Sequence, residues 1–127
     1  MAKILVAEDN PEMRLLLVLY MQQYGHVVIE AKDGRDLFYW VKEEPPDVIL
    51  LDLSMPNIDG WQALEMLKKD PSTQNIPVII VSAKNRIEDM GQAESLGAHD
   101  FVPKPWTATD LVARVNWALA TRYTTRK

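Results

Sequence analysis

Five short runs of aliphatic or aromatic residues, most of them β-branched, recur at residues 4–7, 27–29, 48–51, 78–81 and 101–102. Continuous apolar runs of this length suit strands covered on both faces, as in parallel sheets. The intervals between them are helical in length and pattern. Asn10-Pro11-Glu12 supplies an amide cap, a proline at the first helical position and an acid in the first turn, and Gly25 closes that helix. Asp33-Gly34 opens a second helix, which runs to Glu44 and is stopped by Pro45-Pro46, and Asp59-Gly60 opens a third that ends near Asp70-Pro71. A fourth lies between Asn85 and Leu96 with Gly97 as its stop, and a fifth starts at residues 107–110 and continues to about Thr121. A strand-helix unit repeated five times, joined by right-handed crossovers, predicts an α/β, doubly wound parallel sheet with helices on both faces. The expected organisation is one domain over residues 1–127, with an ordered core at about 2–121.

Charge and cysteine usage narrow the partners. The 127 residues carry 18 acidic and 14 basic side chains, a formal charge of −4, without the clustered basic face of a general nucleic-acid binder. Arg122, Arg126 and Lys127 read as a solvated tail. The absence of cysteine excludes a disulfide scaffold, a thiolate zinc site and a cysteine nucleophile, and points to a reducing compartment. No apolar run approaches the ~20 residues of a membrane span, and the N-terminal apolar stretch is too short for a signal peptide. The expectation is a cytoplasmic protein without membrane insertion.

Ligands of open α/β sheets bind outside the carboxyl ends of the strands, at the switch in crossover direction. Here the first strand runs into Glu8-Asp9, the third into Asp52, the fourth into Ser82 and the fifth into Lys104. In a sheet ordered 2-1-3-4-5 the first and third strands are neighbours, so Glu8, Asp9 and Asp52 converge. Carboxylates that close need a proton or a cation, and an oxygen-only, half-open pocket suits Mg²⁺. A carboxylate nucleophile, a divalent cation, a lysine and a hydroxyl together make a phosphoryl-transfer site. Gly34, Gly60 and Gly97 read as helix-boundary punctuation, since no glycine-rich phosphate loop with lysine is present. His26 and His99 lack ligand-like spacing and read as surface or strand-edge residues.

Four stretches in this order carry a resemblance: Ile4-Leu-Val-Ala-Glu8-Asp9-Asn10, Val48-Ile-Leu-Leu-Asp52-Leu-Ser54-Met55-Pro56, Val78-Ile-Ile-Val-Ser82-Ala83-Lys84 and Gly97-Ala-His-Asp-Phe101-Val-Pro-Lys104-Pro105. From Ile4 to about Thr121 the chain resembles the receiver domain of bacterial two-component response regulators, of the stand-alone type. The resemblance implies the flavodoxin-like (βα)5 fold with order 2-1-3-4-5. It implies that Asp52 accepts a phosphoryl group from a phosphohistidine of a histidine kinase or phosphotransfer protein. It implies that Asp9, Asp52 and the backbone carbonyl of Ser54 hold Mg²⁺, with Glu8 acting through water. Ser82 becomes the switch hydroxyl, Phe101 the switch aromatic and Lys104 the phosphoryl contact, with a cis Lys104–Pro105 bond aiming the lysine. The output is then partner binding through the face of the fourth helix, fifth strand and fifth helix. The protein would catalyse only its own phosphorylation and slow dephosphorylation, and Ser54 and Lys84 flank the approach of the hydrolytic water.

Three other readings share parts of this pattern. A phosphatase of the haloacid dehalogenase type also uses an aspartyl nucleophile with Mg²⁺, but expects a second aspartate where Ser54 stands. A flavodoxin-like cofactor carrier is disfavoured by the acidic pocket. A receiver excised from a longer regulator or hybrid kinase carries the same motifs. On a helical wheel of about 100° per residue, Met13, Leu16, Leu17, Tyr20 and Tyr24 form the expected core face of the first helix. Leu15, Val18 and Leu19 then form an exposed stripe to dock a kinase or phosphotransfer helix. In the fifth helix Leu111, Val115, Ala118 and Leu119 are expected inside. Trp117 is expected outward beside Arg114, as an interface anchor for a target or a homodimer.

Overall fold

A computed structural model of the chain describes residues 2–122. The elements alternate as read from the sequence: β1 Lys3–Ala7, α1 Pro11–Gln23, β2 Val27–Ala31, α2 Gly34–Glu43, β3 Val48–Leu51, α3 Gly60–Lys69, β4 Val78–Ser82, α4 Ile87–Ser95, β5 Asp100–Pro103 and α5 Ala108–Thr121. All strands pair in parallel, in the order β2-β1-β3-β4-β5. This is the flavodoxin-like receiver fold. Helix starts follow local chemistry: the Asn10 side chain accepts the amides of Glu12 and Met13, and Asp59 and Gln62 cap each other reciprocally.

Side-chain alternation along the strands builds two cores. Leu5, Ala7, Ile49, Leu51, Val78 and Ile80 face α2, α3 and α4, while Ile4, Val6, Val48, Leu50, Ile79 and Val81 face α1 and α5. Both sets are almost fully buried, which is why the runs contain no polar alternation. The α4 helix is the least anchored, since Ala93 is its one buried residue and Gly91 faces open space.

The surface expectation for α1 is corrected. In α1 the buried arc is Leu17, Val18 and Met21, so Val18 belongs to the core at 6% exposure, whereas Leu16 and Tyr24 stand outside at 44% and 51%. Residues 15–19 are aliphatic without interruption, so the apolar pattern runs round the helix and leaves its rotational phase undefined. The exposed stripe is therefore Leu15, Leu16 and Leu19. In α5 Leu111, Val115 and Ala118 are buried as expected, Val112 joins them and Leu119 is half-buried. Trp117 does point outward, at 61% exposure. Beside it, the Arg114 guanidinium donates to Asp110, to Asp100 at 2.8 Å and to the Phe101 carbonyl at 3.1 Å.

Smaller points follow the same logic. Arg122 is half-buried and pairs with Asp47 at 3.4 Å rather than joining a solvated tail, while Arg126 and Lys127 lie outside the described residues. His26 is half-buried and its Nδ1 accepts the Ala2 amide at 3.3 Å. His99 lies just before β5, its Nε2 2.8 Å from the Thr121 hydroxyl. No helix among the described residues is long and apolar enough to cross a membrane.

Candidate functional site

The sheet places the key side chains by carrying its hydrogen-bond ladder one residue past the strands. The Glu8 amide donates to Ala31, the Asp52 amide to Ala7 and the Lys104 amide to Ser82, at 3.0, 3.0 and 2.9 Å. Each residue is thus fixed by its backbone at the carboxyl edge, where the side chains of neighbouring strands meet. Glu8, Asp9 and Asp52 offer carboxylate oxygens that all lie within 4.8 Å of one another. Glu8 and Asp52 are buried and Asp9 is exposed. Lys104 enters from β5 and sets its Nζ 3.0 Å from Glu8 and 3.7 Å from Asp52. Its bond to Pro105 is cis.

Further hydrogen bonds orient these groups. Glu8 accepts the Asn10 amide at 3.2 Å, and Asp52 accepts the Ser54 amide at 3.3 Å. Burial pushes the Glu8 carboxyl up to about 7, the negative charge of Asp52 pushes it the same way, and Lys104 with the Asn10 amide pulls it back. Ser82, at the end of β4, is buried and its Oγ accepts the Lys84 amide at 3.0 Å. Phe101 lies opposite Ile80 in the β4–β5 register and is half-buried against the core that includes α4. A groove of about 620 Å³ adjoins it, lined by Met90, Ala93, Glu94, Ala98 and Asp100 among others. Ser54 is exposed in the loop after β3.

Two contributors escaped the sequence reading. Gly60 is more than punctuation: a Cβ there would meet the carbonyl oxygen of Asp52 and the Cα of Leu53. Only glycine lets the start of α3 close on the backbone that carries Asp52. Asn57 adopts the left-handed conformation at φ 69°, and its side-chain amide donates to Asp33 at 3.3 Å. It shapes the loop that carries Ser54. A glycine or asparagine in the loop between a strand-end aspartate and the next helix is the signal that marks such places.

A cluster of three carboxylates faced, among the described residues, by Lys104 keeps an excess of negative charge in a partly buried pocket. Its donors are all oxygen, the set that hard divalent cations such as Mg²⁺ prefer, so the residues fit the expected metal.

The family model for the response regulator receiver domain matches residues 4–116 of this chain. The chain belongs to the response regulator receiver family. Protein PilH of Pseudomonas aeruginosa is similar to it, with 38% identity over 120 residues covering 94% of this chain and 99% of PilH. The phosphate regulon transcriptional regulatory protein PhoB of Escherichia coli is 34% identical over 113 residues, 89% of this chain but 49% of PhoB. Against that relative the receiver spans about half of the length. Among solved structures, the receiver domain of the Francisella response regulator 1452 superposes with a TM-score of 0.89 at 30% identity, covering 94% of this chain and 98% of that one. The receiver family belongs to two-component systems and is not a family of catalytic enzymes, which sets aside the phosphatase and cofactor-carrier readings.

Proposed function

We propose that this receiver is a phosphorylation-controlled switch in which Asp52 accepts a phosphoryl group from a phosphohistidine of a kinase or phosphotransfer protein. The observation that carries this reading is the placement of one buried carboxylate, Asp52, within the acidic triad and 3.7 Å from Lys104. In the reaction an Asp52 oxygen attacks phosphorus and a P–O bond forms. The P–N bond to the donor imidazole breaks, and its electron pair returns to the ring nitrogen. Asp9, Asp52 and the Ser54 carbonyl are the proposed Mg²⁺ ligands, with Glu8 reaching the ion through water. When bound, Mg²⁺ supplies neutralisation of the carboxylates and of the incoming phosphate oxygens.

The adduct brings about two negative charges and strong acceptor oxygens. Lys104, which sits closer to Glu8 than to Asp52 before phosphorylation, turns to the new charge. The Ser82 hydroxyl reorients toward the same oxygens, and Phe101 moves inward as that space clears. The weakly anchored α4 is the element best able to follow, because its packing opposes a shift least. The exposed stripe Leu15, Leu16 and Leu19 on α1 is the proposed dock for the donor's helix. The α5 face around Trp117 is the proposed contact for a target protein or a second copy of this chain. Ser54 and Lys84, both exposed beside the site, are the proposed influences on adduct lifetime.

Amide hydrogen exchange with and without a phosphoryl mimic such as beryllium fluoride plus Mg²⁺ tests the switch. Residues 85–105 are expected to change protection. Identical exchange in the two states would sink it.

A further inference from the structure

The three carboxylates of the pocket are not held in the same way. Glu8 is fixed through its side chain by Lys104 and the Asn10 amide, and Asp52 by the Ser54 amide with Lys104 nearby. Among the described residues, no hydrogen bond or ion pair reaches the Asp9 carboxylate, which is also the exposed member of the three. The backbone sets the direction of its Cα–Cβ bond, and no side-chain contact adds to that. That backbone is gripped by Arg14, one turn into α1. The guanidinium donates at 2.7 Å to the Glu8 carbonyl, which belongs to the peptide joining Glu8 to Asp9, and reaches the Asp9 carbonyl at a long 3.5 Å.

Arg14 is itself held. Its Nε donates to Glu30 on β2 at 3.2 Å, and the side chain is 18% exposed. A planar guanidinium can satisfy a carboxylate and a carbonyl at once, which an ammonium cannot do in the same geometry. The result is a brace from α1 to the edge strand that passes under the turn between β1 and α1. No other described side chain donates to the Glu8 or Asp9 carbonyl.

We propose that Arg14 is a positioning residue of the acidic pocket, which fixes the Glu8–Asp9 peptide so that the otherwise unheld Asp9 carboxylate faces Glu8 and Asp52. The inference rests on the reading of that pocket as a Mg²⁺ site. Outer-shell groups that orient ligands commonly change metal affinity by 10- to 100-fold on removal. An exposed carboxylate oriented only through its backbone belongs at the lower end of that range.

The test titrates the metal-free full chain with Mg²⁺ alone by calorimetry, well below the melting temperature. Arg14→Gln is expected to bind about tenfold more weakly than wild type, with faster amide exchange at residues 8–10, and Arg14→Lys to recover part of the loss. Glu30→Gln, which keeps Arg14 but removes its carboxylate anchor, is expected to show a smaller loss in the same direction and serves if Arg14→Gln does not fold. Wild-type affinity in folded Arg14→Gln, even with a lowered melting temperature, overturns the inference, because Arg14 would then only support the fold. Asp9→Asn separates the two ideas: if it binds Mg²⁺ as wild type does, or if wild type binds none, the metal reading itself fails and takes this inference with it.

Discussion

Glu8 shows how a single side chain can oppose the stability of its own domain. Its carboxyl is pushed from an ordinary 4.5 up to about 7, chiefly by burial and then by the charge of Asp52. Between these values the folded chain keeps a proton that the unfolded chain has released, so the contribution of Glu8 to stability falls as pH rises. The cost is absent below about pH 4.5, complete above about 7 and on the order of 3 kcal/mol. Metal-free urea unfolding is therefore expected to show wild type losing stability relative to Glu8→Gln from pH 5 to pH 7.5. Parallel pH profiles would contradict this, and Mg²⁺ should flatten the difference by compensating the ionised pocket. The residue types at this edge were readable from the sequence because each follows directly on an apolar run. What could not be read was how each group is held. The grip of Arg14 on the Glu8 carbonyl and the contact of Gly60 with the Asp52 backbone depend on distances between elements far apart in the chain.

Among the elements, α1 and α4 carry the docking and switching parts of the proposal. The α1 helix keeps Leu17, Val18 and Met21 inside and leaves Leu15, Leu16 and Leu19 in water, a patch whose usual meaning is a protein contact. Leu15→Lys with Leu19→Lys is expected to slow phosphoryl transfer from a phosphohistidine donor protein at least tenfold on the order of a lost hot spot. Labelling by a small acyl phosphate should stay intact. Rapid-quench transfer assays with both donors check this, and equal loss by both routes would mean the side chains serve the fold. Strand positions were legible because an aliphatic run flanked by capping residues has one interpretation in an alternating chain. The phase of α1 was not, since five successive aliphatic residues satisfy any rotation, and packing against β1 and β2 makes the choice. The partners of Arg114 were illegible for a related reason: Asp100 and the Phe101 carbonyl, which accept from its guanidinium, come from another element.

For the whole molecule, a parallel sheet with a core on each side is a rigid frame that brings four strand ends to one edge. The buried strands hold the acidic residues and Lys104 in place, and the loosely covered α4 side can respond to a new charge there. In the proposed switch, this division would let one covalent event on a side chain alter a distant face without unfolding the domain. It depends on Asp52 being the acceptor. Intact-mass measurement after incubation with Mg²⁺ and acetyl phosphate tests that most directly. Wild type should gain one phosphoryl group, labile to base and hydroxylamine and absent when the metal is chelated, and Asp52→Asn should gain none. A single native phosphoryl group on Asp52→Asn would contradict the account.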